Sequence, residues 1–220
     1  MYPHRIRLRG PWECEPIAPP GGAAPPARRV TMPSGWIAAG LTEFRGQARF
    51  IRRFGYPGRI DDGEHVWLLG DGARGCISVC LNGRLLGDNP SETFAFDVTA
   101  ILSQRNVLEV MVQGDADEVG LWGDIVLDIR RDAYLADVAV QRAGAGLIVS
   151  GKVVGIAPQA LELYTLVDNR HADYRTIMPT TDGEPFHIEL ADVDAASQTV
   201  RVELICVSSI WYVVEAPIPG

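Results

Sequence analysis

The chain has 220 residues, 47% of them hydrophobic, which is enough to build a core and argues against general disorder. Its net charge of −8 repels a phosphate backbone and excludes nucleic acid as an expected partner. No run of eighteen apolar residues is present and MYPHRIRLRGPWE carries no apolar signal stretch, so the expectation is a cytoplasmic chain with no membrane contact.

His4 to Arg9 is the first candidate strand, ending at Gly10-Pro11-Trp12. Residues 16–29, PIAPPGGAAPPARR, are dense in proline and glycine and predict a loop. GQARFIRRF then sets Ala48, Phe50, Arg52 and Phe54 against Gln47, Arg49, Ile51 and Arg53. That period of two marks a half-buried strand with a basic outer face around Arg49, Arg52 and Arg53. HVWLLGD (65–71) and GCISVCLNG (75–83) follow. Both faces of the latter are mostly apolar, which predicts an interior strand. FAFDV (94–98), VLEVMVQ (107–113) and DIVLDIR (124–130) complete the first half, with a helical turn at 99–102 capped by Asp97 or Thr99.

After Arg131 a second series begins with LADVAVQ (135–141), GLIVSGKVVG (146–155) and ALELYTLVD (160–168). DYRTIMP (173–179), PFHIELAD (185–192), TVRVELICVSS (199–209) and WYVVEAPI (211–218) follow. Seven short strands of this spacing predict an immunoglobulin-like sandwich. The fold class is therefore all-β, with domains at 1–131 and 132–220, and the short charged junction predicts that they pack against each other.

Cys14, Cys76, Cys80 and Cys206 match no zinc spacing. Cys76 and Cys80 are expected on one face of a strand, about 13 Å apart, too far for a disulfide. Small thiols in a reducing compartment are the simplest reading. None of His4, His65, His171 and His187 has a metal-ligand partner at a suitable spacing, so neither a metal nor a cofactor is expected.

The ordered blocks GQARFIRRF, VWLLGDGARG, ISVCLNGRLLG, FAFDVTAILSQRNVLEVMV and GLWGDIVLDI resemble the N-terminal sugar-binding domain of glycoside hydrolase family 2. Asn82-Gly83 is the preferred pair for a tight hairpin, and the Asn106 side chain suits bonding to its own turn. The resemblance implies a jelly-roll sandwich over residues 46–130, followed by the family's immunoglobulin-like domain. It also implies that Trp36, Glu43, Arg45, Asp115, Asp117 and Trp122 would meet a sugar. The family's catalytic glutamates stand on a barrel of about 250 residues, the acid/base one preceded by Asn. No Asn-Glu pair occurs here, so no catalytic residue is expected to carry over.

The carboxylate clusters Glu13/Glu15, Asp61/Asp62 and Asp115/Asp117/Glu118 read as solvated turns rather than a glycosidase pair. Trp12, Trp36 and Trp122 lie near loops, whereas Trp67 and Trp211 lie in strands and are expected in the core. The functional expectation is a non-catalytic carbohydrate-binding or accessory protein. The alternatives are a non-catalytic subunit of a split glycosidase, with a barrel subunit or a second copy as protein partner, and a scaffold with no sugar ligand.

Overall fold

The computed structural model describes residues 5–18, 22–42, 44, 46–88, 91–114 and 119–219. The fold is all-β: among the described residues the only helical element is a 3-10 turn at Thr99–Ile101. Two compact units form. One holds Met1–Asp61 and His65–Ile129, the other Asp62–Glu64 and Arg130–Gly220.

Among the described residues the first unit contains thirteen strands: β1 Arg5–Arg7, β2 Trp12–Ile17, β3 Arg28–Val30, β4 Ser34–Gly35, β5 Gly46–Gly55, β6 His65–Gly70, β7 Ala73–Arg74, β8 Cys76–Leu81, β9 Arg84–Asp88, β10 Phe94–Asp97, β11 Arg105–Gly114, β12 Gly120–Leu121 and β13 Ile125–Arg130. They form a six-stranded sheet β3-β2-β5-β11-β8-β9, a four-stranded sheet β1-β13-β6-β10, and a small sheet β4-β12-β7. Alternation places Ala48 and Phe50 of β5, Leu108, Val110 and Val112 of β11, and Val66 and Leu68 of β6 in one apolar core. Each large side chain so buried contributes about 1.5–3 kcal/mol.

The second unit contains β14 Ala133–Ala143, β15 Gly146–Gly155, β16 Leu161–Val167, β17 Arg170–Ile177, β18 Glu184–Leu190, β19 Thr199–Cys206 and β20 Ser209–Pro217. They split into β14-β15-β18 and β17-β16-β19-β20. Leu147, Val149 and Ile188 from the first sheet and Leu163, Val202, Leu204 and Tyr212 from the second share one core.

Several expectations are corrected. Part of segment 16–29 is strand: β2 runs through Pro16 and Ile17, and β3 begins at Arg28. The last β2–β3 partners are Cys14 and Arg28, so Pro16 sits where β2 has become an edge and its missing N–H costs no ladder bond. Cys76 and Cys80 lie on opposite faces, because a bulge opposite Met111/Val112 pairs Val112 with Cys76 and skips Ile77. One inserted residue flips the side chains beyond it, and Cys76 is buried while Cys80 is half-buried. The helical turn is flanked by Val98 rather than a capping side chain, while Asp97 Oδ1 accepts from the Thr99 amide at 2.9 Å. β8 is interior as expected, between β11 and the edge strand β9.

Candidate functional site

The small sheet β4-β12-β7 is built from glycine-rich segments whose backbones approach closely. Gly120 pairs with both Gly35 and Arg74, and Leu121 pairs with Ser34 and Ala73. Gly120 has φ +140°, and a Cβ there would lie 2.8 Å from Gly35 Cα and from Ser34 O. Only glycine accepts that conformation and that approach. Backbone bonds extend the frame: Trp36 N donates to Val119 O at 2.9 Å, Trp122 N to Gly72 O at 2.9 Å, and Asp71 N to Asp124 O at 3.2 Å.

This frame holds Trp122 and Trp36 in opposite roles. The Trp122 ring lies over Gly35, where a Cβ would stand 2.3 Å from ring atoms Cζ2 and Cη2. Gly35 is thus a flat seat for an indole that remains 47% exposed. Trp36 is 1% exposed; its Nε1 donates to Phe44 O at 3.0 Å and its ring stacks on Phe44 at 6.1 Å. Its ring has no face to offer a ligand and serves as part of the frame. Glu43, Arg45, Asp115 and Asp117 lie outside the described residues. The structure therefore places Trp36 and Trp122 on one small sheet's connections, with the second alone at the surface.

Arg74 stands on this small sheet, and Asp124 follows Trp122 by two residues in the chain. Arg74 of β7 pairs with Glu92 at 3.7 Å, and Arg7 of β1 pairs with Asp124 at 3.1 Å. An exposed indole is chemically suited to the apolar face of a polyol ring, and guanidinium and carboxylate groups to its hydroxyls. The expected site missed Gly35 and Arg74. The signal for Gly35 was the glycine-tryptophan pattern itself, Ser34-Gly35-Trp36 with Leu121-Trp122-Gly123, which marks close backbone approach, while Arg74 carries no such mark.

The basic outer face of β5 is neutralised in the structure. Arg49 donates through Nε and Nη2 to Glu15 Oε2 at 3.1 and 2.6 Å, and Arg53 Nη1 reaches Glu13 Oε2 at 2.6 Å. Glu109 adds a third carboxylate 3.6 Å from Arg49. Glu13 and Glu15 are rungs of this cross-strand ladder. Arg52 belongs to the opposite parity, and its Nη1 donates to Pro11 O at 2.8 Å.

The tryptophans divide by strand face rather than by strand membership. Trp12, near a loop in the sequence, is fully buried, while Trp67 and Trp211, within strands, are only half-buried. Trp67 pairs with Asp97 and shares the outward parity of His65 on β6.

In the second unit a cleft of about 610 Å³ is lined by residues including Asp168, His171, Asp173, Asp192, Asp194 and Ser197. Two of its carboxylates already serve the loops, and a third pairs within β17. Asp168 Oδ1 accepts from the Gln198 and Thr199 amides at 3.1 and 3.0 Å, Asp194 Oδ1 from Ala196 N at 2.9 Å, and Asp173 from Arg175 Nε at 2.9 Å. Among the described residues no group of three or more His, Cys, Asp or Glu side chains is disposed to hold a metal ion. Nor is any helix long and apolar enough to cross a membrane.

No protein-family model and no curated protein matches the sequence. Solved structures match over the whole fold. A Bifidobacterium dentium β-glucuronidase complexed with coumarin-3-O-glucuronide has a TM-score of 0.69 at 21% identity, covering 97% of this chain and 47% of its own. A glycosyl hydrolase family 2 member from Bacteroides cellulosilyticus has a TM-score of 0.69 at 13% identity, covering 98% and 36%. A Ruminococcus gnavus β-glucuronidase in complex with C6-substituted uronic isofagomine has a TM-score of 0.68 at 12% identity, covering 97% and 44%. The chain therefore shares its fold with family 2 glycosidases and spans less than half of their length.

Proposed function

We propose that this chain is a non-catalytic carbohydrate-binding or accessory module, with its sugar-facing end at the small sheet of the first unit. The observation that carries this reading is the half-exposed Trp122 indole seated on Gly35. On this reading the first unit is a jelly roll of the family 2 sugar-binding type. The second is an immunoglobulin-like domain, which its three-plus-four strand order supports. Four free thiols favour a reducing, cytoplasmic setting.

A thermal-shift titration with galactosides, glucuronides and mannosides tests the module. A sugar that binds only the folded state raises the melting temperature with concentration. Wild type is expected to shift and Trp122→Ala to stay flat at every sugar concentration. No shift with any sugar at millimolar levels leaves the scaffold reading in place.

A second reading is favoured by coverage: the fold corresponds to less than half of each glycosidase it matches. The chain would then serve as the non-catalytic subunit of a split enzyme, with a barrel on another chain. Reconstituted glycosidase activity on mixing with such a barrel, absent from either chain alone, is the result that reading requires.

A further inference from the structure

Asn82 is the one asparagine of the chain followed by glycine; the other three precede Pro90, Val107 and Arg170. An Asn-Gly pair has a chemistry of its own. The backbone nitrogen of the glycine attacks the asparagine Cγ and forms a C–N bond, while the bond from Cγ to Nδ2 breaks and ammonia leaves. A cyclic imide results. Water then opens it at either carbonyl, giving aspartate or its β-linked isomer. Glycine favours the attack because no Cβ shields its nitrogen. Water is the only co-reactant. Such an intramolecular attack proceeds only from a geometry that brings the reacting atoms together.

The β8–β9 turn is open to this chemistry and also guarded against it. Asn82 and Gly83 are both exposed, and a Cβ on Gly83 would meet nothing within 4 Å, so water and base reach the turn. The Asn82 side chain, however, is held at both amide atoms. Nδ2 donates to Ile101 O and to Asn106 Oδ1, each at 2.9 Å, and Oδ1 accepts from Val107 N at 2.9 Å. The backbone is fixed as well, since Asn82 N donates to Val107 O at 2.8 Å. Cγ swings onto the Gly83 nitrogen only after the side-chain bonds break.

Conversion reverses the polarity of this clamp. Nδ2 is a donor aimed at two acceptors. An ionised carboxylate only accepts, so the product sets an acceptor against Ile101 O and Asn106 Oδ1. Asn106 has no remedy in turning its amide over, because its Oδ1 and Nδ2 already meet Ser103 N and Ser103 O. The β-linked product also lengthens by one methylene a two-residue turn whose flanks, Leu81 and Arg84, are paired. β9 is the edge strand of its sheet and pairs only with β8, so the mismatch falls on β9.

We propose that Asn82-Gly83 is a self-modification site: its deamidation is held in check by the Asn106, Ile101 and Val107 clamp, and once it occurs the clamp opens and β9 is released. The device works in one direction, because the ammonia is lost. Release of β9 uncovers the unpaired edge of β8, the kind of edge that invites pairing with another chain.

The test is ageing of the full chain in mildly alkaline buffer, read by mass spectrometry of the peptide that holds Asn82. Folded wild type should acquire the amide-to-acid mass change at least about tenfold more slowly than the same chain in denaturant, where no clamp exists. Folded Asn106→Leu should convert at least about fivefold faster than folded wild type. Gly83→Asp puts a side chain beside the attacking nitrogen at a position, φ +77°, that Asp tolerates, and should slow conversion of Asn82 at least about tenfold even in denaturant. The converted wild-type fraction, separated by its added negative charge, should show faster deuterium exchange at β9 and unchanged exchange across β14–β20. Equal rates in folded and denatured wild type overturn the proposal, and so does an Asn106→Leu chain that folds yet converts no faster. Exchange at β9 that conversion leaves unchanged overturns the release of the strand, and this arm and the denaturant arm require no variant.

Discussion

Asn82 Nδ2 donates to Asn106 Oδ1 at 2.9 Å, tying the β8–β9 hairpin turn to the turn that leads into β11. Asn106 is buried, and its amide closes a ring with the Ser103 backbone: Nδ2 donates to Ser103 O at 2.7 Å and Oδ1 accepts from Ser103 N at 2.8 Å. Asn82 Nδ2 also donates to Ile101 O at 2.9 Å, and Asn82 Oδ1 accepts from Val107 N at 2.9 Å. Two side chains thus satisfy the polar groups of two turns. Asn106→Leu leaves the Ser103 groups and the Asn82 amide without this partner, and should cost about 2–3 kcal/mol in urea unfolding.

The Asn82 position itself separates backbone from side chain. Its φ is +53°, so Asn82→Gly keeps the turn and loses only the hydrogen bonds, while Asn82→Ala loses both. The Ala variant should be less stable than the Gly variant by about 1 kcal/mol. Equal midpoints in urea would show that the turn conformation carries no strain for alanine.

These turns were legible in the sequence because Asn-Gly between apolar runs, and Asn before an apolar run, act locally. The long strands were legible for the same reason: alternation in GQARFIRRF or TVRVELIC needs no knowledge of the partner. The rest depended on distant partners. β4, β7 and β12 are two residues each, too short to show a period. The bulge that turns Cys76 inward is a mismatch between β8 and β11 and has no mark in β8 alone. Trp36 and Trp122 both stand beside glycine in sequence. Only assembly of the small sheet buries one against Phe44 and seats the other on Gly35.

Gly35 and Trp122 should respond differently to substitution. Gly35→Ala places a methyl where ring atoms now lie 2.3 Å away, and the flat indole cannot yield as a flexible chain end would. The ring must leave its seat, so the variant should lose sugar binding and shift its tryptophan emission. Trp122→Ala removes a half-exposed ring and should lose binding with a stability change of up to about 3 kcal/mol, since roughly half of its area leaves water on folding. Binding that survives Gly35→Ala would separate the ligand site from this platform.

Asp97 gives the first unit an acid-sensitive joint. Burial pushes its carboxyl up, but the Thr99 hydroxyl and amide, at 2.6 and 2.9 Å, and His65 at 3.4 Å outweigh this and hold it below the usual value. Thr99 Oγ1 in turn accepts from Val66 N at 2.8 Å. A depressed carboxylate stabilises the fold above its unfolded pKa, about 3.9, and this contribution fades as pH falls through the lower folded value. The stability gap between wild type and Asp97→Asn should therefore be full at pH 7 and narrow below about pH 4. A gap unchanged down to pH 3 would mean that the charge of Asp97 contributes nothing.

The cysteines report on opening of the first unit. Burial pushes the Cys14 and Cys76 thiols up to about 11. Cys80 is raised in the same direction, by burial first and then by Glu109. Only the thiolate reacts with a disulfide reagent, so at pH 8 about one thiol in a thousand at Cys14 or Cys76 is reactive, even before access is considered. Cys14 lies on β2 with no exposed surface, between β3 and β5. In Cys80→Ser, Cys14 and Cys76 should label no faster than the first unit unfolds, and all remaining thiols should label at once in denaturant. Mass spectrometry of labelled peptides separates the sites. Labelling of Cys14 well ahead of Cys76 would show that the β2–β3 edge opens on its own, since β3 is a three-residue strand paired only through Trp12, Glu13 and Cys14.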